Sequence, residues 1–212
     1  EAFDLSKEDP RTIARYDTSK LAPEAGTDPR CNNRKRYRDN GATLGKLMLL
    51  ARRLVERGCG FITVTTNFVW DMHADVNNAD MITGMNYMGV PFDHAVSAFL
   101  EDIRDRGLED KVLLVCCGEM GRTPRINKKG GRDHWGNIAP LMLAGGGLEM
   151  GQVVGQSTRN VGEPLTRPYR IDNLVGTIFN TLFDVGELRL NQGVPRDINR
   201  AMETYQPISE LL

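Results

Sequence analysis

Three short segments of this chain gather the residue types that chemistry needs. The first, Asn67-Phe68-Val69-Trp70-Asp71-Met72-His73, sets an aspartate and a histidine two positions apart. On an extended backbone, positions i and i+2 share a face, so Asp71 and His73 can reach one metal ion. Carboxylate oxygen with imidazole nitrogen suits zinc, manganese or iron. The second segment, Gly118-Glu119-Met120-Gly121-Arg122-Thr123-Pro124, puts Glu119 where an apolar run stops. Its glycines let the backbone turn tightly beside a ligand, and Arg122 offers a planar fork for a phosphate or sulfate group. The third, Gly130-Gly131-Arg132-Asp133-His134-Trp135-Gly136, places Asp133 and His134 side by side. Neighbours on an extended chain point apart, so one can ligate while the other supports. Ordinary surface turns are the plain alternative for each segment. Two of the three histidines fall in these segments, and the third, His94, reads as a surface or packing residue near a helix start.

The elements that must position these segments can be read from hydrophobic periodicity. Leu44, Leu47, Met48, Leu50, Ala51, Leu54 and Val55 recur at helical spacing over 42–56, and Gly58 suits a C-terminal cap. A second helix opens at Pro91 with Ala95, Val96, Phe99, Leu100 and Ile103 as its buried stripe, and Gly107 ends it. A third starts near Ile171, with Asp172 as its N-cap. Between them lie apolar runs that read as strands at 61–66, 111–117 and 139–144, with a shorter one at 152–155. Helices alternating with unbroken apolar strands predict an α/β fold, a mostly parallel sheet with helices on both faces. Loops after the carboxyl ends of such strands carry function, which is where the first two segments fall. Residues 1–40 are polar, with Pro10, Pro23, Pro29 and the basic run 34–38, and read as an arm or connection with a short helix at 10–16. Residues 41–212 read as the folded domain.

The 212 residues are 40% hydrophobic and 26% charged, with a net charge of -1, the profile of an ordinary globular protein. That balance supplies no general attraction to nucleic acid or anionic membrane, and no apolar run approaches the roughly 20 residues of a bilayer span. Cys31, Cys59, Cys116 and Cys117 have no CxxC spacing, which argues against a zinc knuckle. The polar start, Glu1-Ala2-Phe3-Asp4, is no signal peptide, so any targeting segment is expected to have been removed or to lie upstream.

The stretch from Cys117 to Pro124, followed by Gly131-Arg132-Asp133-His134-Trp135-Gly136, resembles the DUF1501 family. Trp70-Asp71-Met72-His73 is similar to that family's Trp-Asp-Thr-His segment, and Glu1-Ala2-Phe3-Asp4-Leu5 and 141–155 also look like it. The resemblance covers nearly the whole chain. It implies the alkaline phosphatase and sulfatase superfamily, planctomycete type, with export or a periplasmic location in full-length members. It implies an alkaline-phosphatase-like fold, of which this chain would be the C-terminal portion, the half carrying the nucleophile lying outside it. It further implies metal-dependent hydrolysis of sulfate or phosphate esters, small molecules or glycans, with a divalent ion (zinc, manganese or calcium) as cofactor. Carried over by position, Asp71, His73 and His134 resemble the ligands of one metal. Glu119 stands where the superfamily often has an Asp-His pair, and Arg122 lies near the substrate oxyanion. Asp133 joins the metal set, Arg132 joins Arg122 in substrate binding, and Glu119 and Arg122 are the catalytic candidates. The competing reading is a non-catalytic exported protein that binds anionic glycans through Arg122, Arg125, Lys128, Lys129 and Arg132.

Overall fold

The computed structural model describes residues 2–212; Glu1, the first residue of the N-terminal match, lies outside them. The fold is mixed α/β. Two compact units divide the chain: Glu1–Gly107 with Arg122–Trp135, and Leu108–Gly121 with Gly136–Leu212.

The first unit is built on two long helices. Helix α1 (Pro10–Arg15) starts on an Asp9 cap and a proline at its first position. Helix α2 (Arg34–Val55) starts about two turns earlier than periodicity places it, because the basic run belongs to it. Tyr37 is fully buried within that run, and Arg36 lies 5.0 Å over the Phe68 ring. Gly58, at φ +83°, ends the helix in the left-handed conformation a glycine tolerates. A single turn, α3 (Met81–Gly84), leads through a π-helical turn (Met85–Gly89) into α4 (Val90–Asp105). Leu44, Met48 and Leu49 of α2 are buried, as are Ala95, Phe99 and Ile103 of α4. One hydrophobic cluster joins Tyr37, Val69, Met72, Ala79, Tyr87 and Met88.

A buried charge group ties the helices to the N-terminal segment. Arg52 is only 2% exposed. Its guanidinium pairs with Glu8 at 2.9 Å, Glu56 at 2.6 Å and Asp102 at 2.8 Å. The contacts to Glu8 and Asp102 are ion pairs at angles too oblique for hydrogen bonds. The Tyr16 hydroxyl donates to the same Asp102 carboxylate at 3.0 Å. Glu8 is also met by Arg53 at 2.5 Å, and Asp102 and Glu56 by Arg106 at 2.8 and 2.9 Å, so the charges form one shared network rather than isolated pairs.

The second unit contains strand β1 (Leu113–Cys117), which pairs antiparallel with β4 (Leu141–Gly145), Leu113 facing Gly145 and Cys117 facing Leu141. Between them in sequence, β2 (Gly121–Arg122) pairs with β3 (His134–Trp135). Helix α5 (Ile171–Leu182) follows, then α6 (Val185–Leu188) and α7 (Arg196–Thr204). The C-terminal tail docks: Ile208 and Leu211 pack with Leu148, and the Ile208 N–H donates to the buried Thr177 hydroxyl at 2.9 Å.

Several expectations change. Among the described residues the strand pairs are two-stranded, and β1 and β4 run antiparallel, so the expected parallel sheet is not formed there. Residues 61–66 lie outside helix and strand, with Phe61 80% exposed. A β-branched run is suited to a strand, but a strand exists only where a partner satisfies its N–H and C=O groups. The run at 152–155 is likewise unpaired; the nearby bridge joins Ser157 and Pro164. Asp172 sits inside the first turn of α5, whose N-cap is Arg170. No described helix is long and apolar enough to cross a membrane.

Candidate metal centre

The segment from Val69 to His73 lies along the core of the first unit, bending at Trp70 and closing two tight turns in which the Met72 and His73 N–H groups donate to the Trp70 and Asp71 carbonyls at 3.0 and 2.9 Å. Val69 and Met72 are buried in the hydrophobic cluster, while Asp71 and His73, either side of Met72, face outward together. Trp70 is held by a hydrogen bond from its indole N–H to the Thr66 hydroxyl at 2.9 Å and by an edge contact with Phe92. Met72 packs on Gly84, where any Cβ would lie 2.7 Å from its side chain. Two non-glycine residues in the left-handed region flank the segment, Phe68 at φ +59° and Ala74 at φ +58°. Such conformations are unfavourable for residues with a Cβ and persist where surrounding contacts impose them.

The loop from Arg122 to Trp135 lies against this segment. The Arg132 N–H donates to the Met72 carbonyl at 2.9 Å, and the Asn127 side-chain amide donates to the His73 carbonyl at 2.9 Å. Gly131 is needed for space: a Cβ there would sit 2.2 Å from the His73 carbonyl carbon and oxygen. Asn127 also accepts the Lys129 and Gly131 N–H groups at 3.0 Å each, which closes the loop on itself.

This docking brings three donor atoms together. His73 Nε2 lies 3.2 Å from His134 Nε2, His134 Nε2 lies 3.2 Å from Asp71 Oδ1, and His73 Nε2 lies 3.5 Å from that same oxygen. Asp71, His73 and His134 thus form a group that could hold a metal ion. Zinc bonds of 2.0–2.1 Å at tetrahedral angles separate their donors by about 3.3 Å, close to each edge of this triangle. Two imidazoles and one carboxylate suit zinc or manganese and disfavour calcium, which takes oxygen ligands.

Arg122 completes the immediate surroundings, its NH2 group donating to Asp71 Oδ1 at 2.7 Å. Burial alone would raise the pKa of Asp71, but hydrogen bonds from Arg122 and His134, with the charge of Arg122, bring it below the usual carboxylate value. Asp71 is therefore ionised at neutral pH, as a metal ligand must be.

A family model described as a protein of unknown function, DUF1501, matches residues 1–198. The chain belongs to the DUF1501 family. No curated protein and no solved structure matches it.

The remaining expected site residues of this DUF1501 chain divide. Asp133 is outside the donor triangle and stands on the far side of His73, with Oδ1 3.4 Å from Nδ1. Adjacency to His134 explains the split, since the two side chains diverge. Arg132 gives the site its backbone N–H, and its Nε is buried with no hydrogen-bond partner among the described residues. Glu119 is an exposed residue of the second unit, just after β1, and is not a member of the donor group. Sequence reading missed Asn127. Its only signal was an asparagine three residues before a Gly-Gly pair, a common turn pattern.

Proposed function

We propose that Asp71, His73 and His134 hold one divalent metal ion, zinc by preference, in a metal-dependent hydrolase of phosphate or sulfate esters. The observation that carries this is the donor triangle, with edges of 3.2, 3.2 and 3.5 Å, assembled from two segments sixty residues apart in sequence. When bound, the ion would supply a Lewis acid and lower the pKa of a coordinated water. Asp71 provides the one formal negative charge of the donor set. Arg122 fixes that carboxylate and adds a permanent positive charge beside it, favourable to an anionic ester. Half of the His134 side chain remains exposed, so the site opens to solvent and to a ligand. Kinship with alkaline phosphatases and sulfatases, the parallel sheet of that fold, a planctomycete-type origin, export, and action on small-molecule or glycan esters all belong to this proposal and rest on the motif resemblance.

The test is metal analysis of the purified chain, zinc titration, and turnover of aryl phosphate and aryl sulfate by the full-length protein. One zinc per chain is expected, lost in His73→Ala and His134→Ala together with turnover. A wild-type chain that takes up neither zinc nor manganese would overturn the metal reading. Glycan affinity that survives both substitutions, without turnover, would favour the binding-protein reading instead.

A further inference from the structure

We propose that Asp133, held by Asn127 and Thr123, is a positioning residue that fixes the tautomer and ring orientation of His73. The two nitrogens of this imidazole face different neighbours. Nε2 points to His134 Nε2 and Asp71 Oδ1, while Nδ1 lies 3.4 Å from Asp133 Oδ1. A carboxylate only accepts hydrogen bonds, and of the two beside this ring Asp71 Oδ1 already accepts from the Arg122 guanidinium at 2.7 Å, whereas Asp133 Oδ1 is met by the Asn127 amide at 3.5 Å; the neutral ring therefore keeps its proton on Nδ1, toward Asp133. The lone pair is then on Nε2, the atom in the donor triangle. Histidine ligands generally pass their second ring nitrogen to such a carboxylate or carbonyl.

The Asp133 side chain is 61% exposed, and an exposed carboxylate left to itself would sample many rotamers. Here its main chain is clamped on both sides: the Thr123 N–H donates to the Asp133 carbonyl at 2.9 Å, and the Asp133 N–H donates to the Thr123 hydroxyl at 3.1 Å. Asn127 reaches both partners, its amide donating to the His73 carbonyl at 2.9 Å and approaching Asp133 Oδ1 at 3.5 Å. One side chain thus references the carboxylate to the backbone of the histidine it orients.

The first arm of the test needs no metal and is independent of the proposed function. Nitrogen-15 NMR of the imidazoles is recorded on the metal-free chain near pH 9, well above the ordinary histidine range of about 6.5. His73 is expected as the Nδ1–H tautomer in the wild type and in Asp133→Asn, whose amide oxygen still accepts. In Asp133→Ala the Nε2–H form should appear. His73 as Nε2–H in the wild type, or an unchanged tautomer in Asp133→Ala, would overturn the proposal. The second arm rests on the metal reading: zinc titration against a chromophoric chelator. Asp133→Ala should weaken zinc by about 10–100-fold, with Asp133→Asn retaining most of the affinity. Equal zinc affinity in Asp133→Ala and wild type would also overturn it. Absence of zinc binding in the wild type would sink the metal reading and leave the tautomer result to decide this one.

Discussion

Replacing Gly131 by alanine should separate the two segments that make the metal centre. A Cβ at this position lies 2.2 Å from both the carbonyl carbon and oxygen of His73 and 2.7 Å from the Ala74 nitrogen. These are backbone atoms, so no rotamer change relieves the clash. Restoring ordinary contact requires the loop and the His73 segment to part by roughly 1 Å, as expected for overpacking a tight junction. That movement would stretch the Arg132–Met72 and Asn127–His73 hydrogen bonds, both 2.9 Å, beyond useful length. Overpacking costs about 1–3 kcal/mol and each of the two weakened hydrogen bonds about 1 kcal/mol, so a destabilisation of about 3–5 kcal/mol follows. The His73–His134 spacing would open as well, and a donor displaced by about 1 Å should lose roughly 100-fold or more in zinc affinity. Urea denaturation gives the first quantity and chelator competition the second. Gly136→Ala is the matched control, because a Cβ there meets nothing within 4 Å. It should stay within about 0.5 kcal/mol of wild type. If Gly131→Ala unfolds at the wild-type urea midpoint and keeps wild-type zinc affinity, the close approach described here is not the determinant of the site.

Arg52→Met should cost about 3 kcal/mol at pH 7, the low end for breaking a buried pair, because Glu8 and Asp102 lose their most buried cation while keeping Arg53 and Arg106; a urea midpoint near wild type would refute this. Ala74→Gly removes left-handed strain of about 1–2 kcal/mol and adds up to about 1 kcal/mol of backbone entropy cost, so the melting temperature should rise slightly, and a clear fall would refute it. Asp28 has a pKa held low by hydrogen bonds from the Arg30 guanidinium, which prevail over burial, with further bonds from the Arg30 N–H and the Tyr87 hydroxyl. A depressed carboxylate stabilises the fold above its unfolded value of about 3.9 and loses that contribution as pH falls through the lower folded value. The stability advantage of wild type over Asp28→Asn should therefore be constant from about pH 5 to 7 and shrink below about pH 4; an advantage that grows on acidification would refute the assignment.

What was legible in the sequence was what depends on near neighbours. That Asp71 and His73 can reach one site follows from their i, i+2 spacing, with Met72 between them entering the core, although the backbone there closes tight turns rather than running extended. The buried stripe of α4 follows from helical spacing for the same reason. The start of α2 was obscured because charge at 34–38 reads as solvated, while Tyr37 within it carries the packing. Strand pairing is non-local, and periodicity cannot name a partner; thus 61–66 looks like a strand and is unpaired, and β1 finds β4 antiparallel. The meeting of His73 with His134 is also non-local. Its one local trace is Gly131, whose missing side chain admits the other backbone, and that purpose appears only when both segments are seen together.

Met72 anchors the ligand segment. The side chain between the two donors serves as a keel sunk in the hydrophobic cluster, and Val69, three positions earlier, serves as a second. Only Trp70 and Asp71 lie between these anchors, so inserting or deleting a residue there would shift Asp71 against His73 and His134. The spacing of the donors is therefore set by apolar neighbours that never touch a ligand.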